Sequence, residues 1–158
     1  MSLPYQIAAL FRRDLTRLLQ QVQSFSDEAA LWKTVPGVAN SVGNLVLHLE
    51  GNLREYIGRQ LGGVSYHRQR DSEFAKTTLP AADLVRRVEA VQELIPRVIS
   101  TLSREECEAL FPEDILGAPG ATQQVLISLH GHLNYHLGQI DYLRRVLTGG
   151  AAVDYAGL

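Results

Sequence analysis

The 158-residue sequence holds one cysteine, Cys107, so no internal disulfide can brace the fold, and a reducing cytoplasm is its expected setting. Cys107 is flanked by Glu105, Glu106 and Glu108, carboxylates that raise a thiol pKa, so it is expected to pack rather than to react. A large excess of either charge is missing too. Fifteen Lys and Arg against seventeen Asp and Glu leave a formal charge of -2, too weak a field to gather phosphate backbones, and no nucleic-acid partner is expected. No apolar run approaches the roughly 18 residues that a membrane helix needs. Met1 to Leu10 has no basic start leading into a long apolar stretch, so neither a membrane nor export is expected. What remains is ordinary globular material, 46% hydrophobic and 20% charged, in a length that suits a single domain over residues 1–158.

Apolar residues recur at helical spacing in four long stretches, about 4–23, 42–61, 80–102 and 123–147. The first turns Ile7, Leu10, Phe11, Asp14, Leu15, Leu18 and Val22 to one side, and Pro4 suits its first turn. The second, capped from Asn40-Ser41 and closed by Gly62-Gly63, presents Leu45, His48, Leu49, Asn52, Leu53, Tyr56 and Ile57. Along the third run Leu84, Val88, Val91, Leu94, Ile95, Val98 and Leu102, with Pro96 expected to kink or stop it. The fourth has the inward register Val125, Leu129, His132, His136, Ile140, Leu143 and Leu147. A short helical turn after Ser26-Asp27, a crossing connection over residues 63–79, a capping box at Ser103 and Glu106, and an irregular stretch over 111–120 join them. Patterns this long, each roughly 30 Å as a helix, without competing strict alternation, predict an all-α four-helix bundle.

Five histidines stand at 48, 67, 130, 132 and 136. His132 and His136 are four apart, about 40° in azimuth and about 6 Å in height on a helix, so both imidazoles can reach one ion. His48 holds the same kind of inward position on the second helix and can supply a third nitrogen, leaving coordination positions open for water or substrate. The competing reading is a set of core histidines hydrogen-bonded to neighbours, although three uncompensated imidazoles in an apolar interior are costly. Gln139, Asn44 and Asn52 are placed to orient imidazole N–H groups. His130 lies about 200° around the helix from His132 and is expected at the surface, as is His67 in the crossing connection. No carboxylate is forced toward the site by its helical position.

Three phrases carry a family resemblance: Asn44 to Asn52 around His48, Arg70-Asp71-Ser72-Glu73-Phe74 in the connection, and His132 to Ile140 with the pattern H-x-x-x-H-x-G-Q-I. With their spacing they cover most of the chain, and it resembles the DinB-like proteins, also called DinB/YfiT-like metalloenzymes. The resemblance implies an up-down-down-up bundle, frequent homodimers, and a divalent transition metal such as nickel, zinc or iron on His48, His132 and His136. Relatives include mycothiol-dependent maleylpyruvate isomerase-like and bacillithiol-transferase-like proteins. The expected function is therefore a metal-dependent enzyme that binds a low-molecular-weight thiol as thiolate and delivers it to an electrophilic small molecule, an S-transferase of detoxification type. A hydrolase using a metal-bound water is the close variant. The reading from a different class is a non-catalytic, metal-stabilised bundle that dimerises or binds a partner, for which Gly51 and Gly58 on the second helix offer a close-approach face.

Overall fold

The computed structural model describes residues 2–75 and 78–154. Four long helices dominate it: α1 (Leu3–Gln23), α3 (Val42–Leu53, extended by a π-helical segment Arg54–Arg59), α5 (Ala81–Thr101) and α7 (Thr122–Thr148). Short helices α2 (Glu28–Trp32), α4 (Arg70–Glu73) and α6 (Arg104–Glu108) sit in the connections, and no strand is present among the described residues. The all-α bundle expected from the sequence is therefore the fold. Helix α1 packs most extensively on α5 and also on α7, while α3 packs on the same two helices from the other side. This arrangement sets α3 beside α7, the adjacency on which the histidine site depends.

Local chemistry explains the boundaries. Ser41 accepts from the Asn44 backbone N–H, and Asn44 Oδ1 accepts in return from the Ser41 N–H, a reciprocal cap at the start of α3. Ser103 and Glu106 form the second such cap, on α6. Gly149 ends α7 at φ +66°, a left-handed conformation that glycine adopts without steric cost. Phe11, Leu15, Leu49, Leu53, Ile95, Ile99 and Leu133 are fully buried and interlock the four helices, each such side chain contributing about 1.5–3 kcal/mol by leaving water.

Four details depart from the expected pattern. The Val42–Leu61 stretch is not one regular helix: from Arg54 its bonds lengthen to the π pattern, as in Gln60 N–H to Glu55 O at 3.3 Å. Of the two outcomes expected at Pro96, the stop does not occur: α5 runs on to Thr101, as far as its apolar stripe predicts, because Ile95, Pro96, Val98 and Ile99 are all buried and outweigh one missing backbone bond. Leu10 is exposed rather than inward, lying at the margin of the α1 stripe. Leu133 and Leu137 are buried although they fall outside the inward register expected for α7, whose helix is covered on more than one side. Cys107 is buried as expected, and burial, helped by Glu106 and Glu108, raises its thiol pKa. The final segment 155–158 of the expected tail, and Lys76 and Thr77 of the crossing connection, lie outside the described residues.

Candidate metal centre

His48 projects from α3, and His132 and His136 project from successive turns of α7, so adjacency of two helices is enough to assemble the three rings. Their Nε2 atoms converge: His48 to His132 at 3.1 Å and His132 to His136 at 3.0 Å. The rings stand nearly perpendicular to one another, at 85–86° with centroids 4.6–5.2 Å apart. Nitrogens each about 2.0–2.1 Å from a shared ion stand about 2.8–3.4 Å apart between right-angle and tetrahedral coordination, and both separations fall in that range. The three histidines are therefore positioned to bind a metal ion.

The outer nitrogens decide what the inner ones offer. His48 Nδ1–H donates to Glu73 Oε2 at 2.9 Å, and His136 Nδ1–H donates to Gln139 Oε1 at 2.7 Å. A neutral imidazole carries one N–H, so both of these rings turn a lone pair inward from Nε2. A single proton on His132 Nε2 can satisfy only one of them, and His132 Nδ1 is buried with no hydrogen-bond partner. One cation satisfies all three inward nitrogens, which makes the donor set fit an ion better than it fits a hydrogen-bonded core. Electrostatics agree with neutral rings. Burial, then His136, His48 and Arg68, push the His132 pKa down to about 4, and burial also lowers that of His136.

Glu73 reaches the site from α4. Burial alone would raise its pKa, but hydrogen bonds from His48 and Arg68 win and hold the carboxyl below its ordinary value. Arg68 grips it with two bonds, Nε to Oε1 at 2.7 Å and Nη2 to Oε2 at 2.9 Å. Phe74 lies 5.0 Å from the His48 ring and covers it from the same segment. Room for the carboxylate comes from Gly51: a Cβ there would collide with Glu73 Oε1 and stand 3.1 Å from Cδ.

A family model described as mycothiol-S-transferase matches residues 6–149, nearly the whole chain. The chain belongs to the mycothiol-S-transferase family. That membership agrees with the DinB-like resemblance of its histidine phrases. No curated protein matches it. Among solved structures it is similar to a conserved protein from Enterococcus faecalis, at TM-score 0.74 and 17% identity over 95% of this chain and 99% of that one. It is also similar to a DinB-like protein from Bacillus cereus, at TM-score 0.65 and 16% identity over 89% of each chain. At these identities the likeness to both structures is one of fold.

For this mycothiol-S-transferase family member, helical register brings His48, His132 and His136 together as expected, and Gln139 orients His136 as expected. Neither Asn44 nor Asn52 hydrogen-bonds His48. Asn44 Nδ2 instead donates to the Glu73 and Ala75 carbonyls at 3.0 and 3.2 Å, holding the Glu73 backbone in place, and buried Asn52 Oδ1 has no partner. His130 is not the free surface residue expected: it is only partly exposed, its Nε2 lies 2.7 Å from the fully buried Asp14 and its ring edge packs on Phe11. His67 is exposed and stays outside the cluster. Gly51 and Gly58 face Glu73 and Leu94 of the same chain, so the feature that suggested an external helix partner is used internally.

Glu73 and Arg68 are the residues that helical register misses. Glu73 stands in one of the family phrases, yet its role depends on where the connection folds back. Replacing Glu73 by Gln is expected to weaken divalent-metal affinity about 10–100-fold while leaving the fold intact, read by competitive titration against a chelating dye. Gly51→Ala is expected to act in the same direction by displacing the carboxylate, and unchanged affinity in both variants would show that the Glu73 contact does not tune the site.

Proposed function

We propose that the chain is a metal-dependent S-transferase that binds one divalent transition ion on His48, His132 and His136 and uses a low-molecular-weight thiol of the mycothiol type. The single observation that carries this reading is the inward convergence of three Nε2 atoms with two Nδ1–H groups tied outward. Family membership supports the thiol. When bound, an ion on three neutral imidazoles keeps its full positive charge and lowers the pKa of a thiol that joins it.

The chain's own residues prepare that chemistry. Glu73 fixes the His48 tautomer and ring plane, and Gln139 does the same for His136 through a neutral acceptor. The lowered pKa values of His132 and His136 reduce proton competition for their inward nitrogens. In the transfer itself the thiol loses its proton, sulfur forms a bond to an electrophilic carbon, and the leaving group departs with its electron pair. A homodimer and a cytoplasmic setting belong to the same reading, the latter because a reducing compartment keeps a thiol cosubstrate reduced.

The test loads metal-free protein with zinc, nickel or, anaerobically, iron. Each form is then assayed with mycothiol, bacillithiol or cysteine against a panel of haloalkyl, epoxide and maleyl electrophiles. Metal-dependent thioether formation with one thiol strongly preferred is the expected result. Failure of every loaded form to bind a thiol or turn over any electrophile would sink the S-transferase reading. An ion that merely ties α3 to α7 predicts instead that His48→Ala causes a large drop in melting temperature with no activity to lose.

A further inference from the structure

We propose that Asn52 is the positioning residue of His132: its Oδ1 accepts the His132 Nδ1–H when the ring's Nε2 is on the ion, so that each of the three histidines is held from behind. The assignment rests on the three-histidine ion site of the reading above. Among the described residues, Asn52 Oδ1, Arg54 Nε and His132 Nδ1 are the buried side-chain atoms without a hydrogen-bond partner. Arg54 Nε is compensated as an ion pair, 2.6 Å from Glu50 Oε1. The other two are an acceptor and a ring nitrogen on the two helices that build the site, and Asn52 as a whole is only 8% exposed. A carbonyl oxygen kept from water with no donor is costly unless it serves a partner.

The proton count makes the two atoms complementary. A neutral imidazole carries one N–H, and a ring whose Nε2 holds an ion must carry it on Nδ1. His48 and His136 give that proton to Glu73 and Gln139. His132 has the same proton to place and no acceptor for it, since its contacts with His48 and His136 both run through Nε2. Asn52 Oδ1 is the buried side-chain acceptor left over among the described residues.

Helix direction brings them together. Asn40 and Leu45 at the start of α3 line one cavity with Gln139, Leu143 and Val146 near the end of α7, so the two helices run antiparallel. Asn52 stands one turn beyond His48, about 6 Å along the axis and about 40° around it. Along α7 the same direction leads from His136 to His132, which places Asn52 on the His132 side of the cluster. Helical side chains tilt toward their own N-terminus, and between antiparallel neighbours that tilt carries the Asn52 amide back toward His132 and the His132 ring out toward Asn52. Turning the amide about its last side-chain bond, a soft torsion, or placing one water between the two atoms completes the bond. The rings are then oriented by two neutral amides and by one carboxylate that Arg68 already neutralises, which leaves the charge of the ion for a bound thiol.

Competitive zinc titration of the full chain against a chelating dye tests the proposal. Asn52→Leu, similar in size and lacking the acceptor, is expected to bind zinc about 10–100-fold more weakly than the parent. In chelator the same variant is expected to melt no lower than the parent, because an apolar group replaces an unpartnered carbonyl. Asn52→Asp keeps an acceptor oxygen and is expected to restore affinity close to the parent's. Proton spectra of the zinc-loaded chain carrying isotope-labelled histidine are expected to show a hydrogen-bonded Nδ1–H signal from every histidine of the cluster in the parent and in Asn52→Asp, and to lose the His132 signal in Asn52→Leu. Equal zinc affinity in the parent and Asn52→Leu, a loss that Asn52→Asp does not rescue, a His132 signal unchanged in Asn52→Leu, or a large drop in that variant's melting temperature in chelator would each overturn the assignment and leave the ion site standing. A parent that takes up no ion would fail the three-histidine site itself, and this assignment with it.

Discussion

The His132→Ala/His136→Ala chain is expected to hold no transition metal, whereas the parent, purified without a metal-binding tag, is expected to hold about one ion per chain by elemental analysis. A complete set of protein ligands supplies on the order of 10 kcal/mol of binding free energy, and the double substitution removes two of the three nitrogens. The expected stability change differs between the two states of the parent. In chelator, the variant loses the half-buried His132 ring, whose Nδ1 has no partner and whose pKa is pushed down to about 4, and the half-buried His136 ring with its one bond to Gln139, so it is expected to melt close to the metal-free parent. With ion present at about 100 times its dissociation constant the parent alone gains about 2.7 kcal/mol. If the untagged parent takes up no zinc, nickel or anaerobic iron, the three-histidine site is not a metal centre.

Asp14→Ala is expected to be the most damaging substitution away from that site. Asp14 is wholly buried on α1 and accepts from His130 and Asn134 of α7, at 2.7 and 2.9 Å, and from Arg13 and Arg17 on its own helix. Truncating it leaves those donors facing a gap, and breaking a buried charged network from one side costs about 3–5 kcal/mol. At roughly 2–4 °C per kcal/mol for a domain of this size, the melting temperature falls by about 10 °C. Leu10→Ala, at an exposed position of the same helix, is expected to change stability by less than about 0.5 kcal/mol.

Acid conditions give that network a second signature. Burial alone would raise the Asp14 pKa, but hydrogen bonds from His130, Arg13 and Asn134 outweigh it and hold the carboxyl far below the ordinary carboxylate range. The unfolded chain therefore takes up the proton first, at an ordinary aspartate value near about 3.9. The stabilisation is complete above that pH and is lost as pH falls toward the folded value. Urea melts at neutral pH should separate the parent from Asp14→Ala widely, and the gap should narrow progressively below about pH 4. A gap that stays constant into acid would show that Asp14 stabilises by shape and not by charge.

The sequence alone determined the helices and the inner site, because both depend on a period of 3.6 residues that neighbouring positions share. Leu45, Leu49 and Leu53 mark the buried stripe of α3, and the same register that buries them turns His48 inward. The four-residue step from His132 to His136 likewise fixes two rings on one side of α7. Gln139 was legible for the same reason, since it orients a ring one turn away on its own helix. Position on one helix cannot specify contacts made by a segment that arrives from elsewhere. Glu73 and Arg68 reach His48 only because the connection after α3 folds back, held by Asn44 and admitted by the missing side chain of Gly51. His130 points away from His132 and by register alone belongs to the surface, yet α1 lies on that side and offers Asp14. A helix in a bundle has more than one covered face, and only the tertiary structure decides which neighbour covers each, because that choice is made by packing between distant segments and not by the helical repeat.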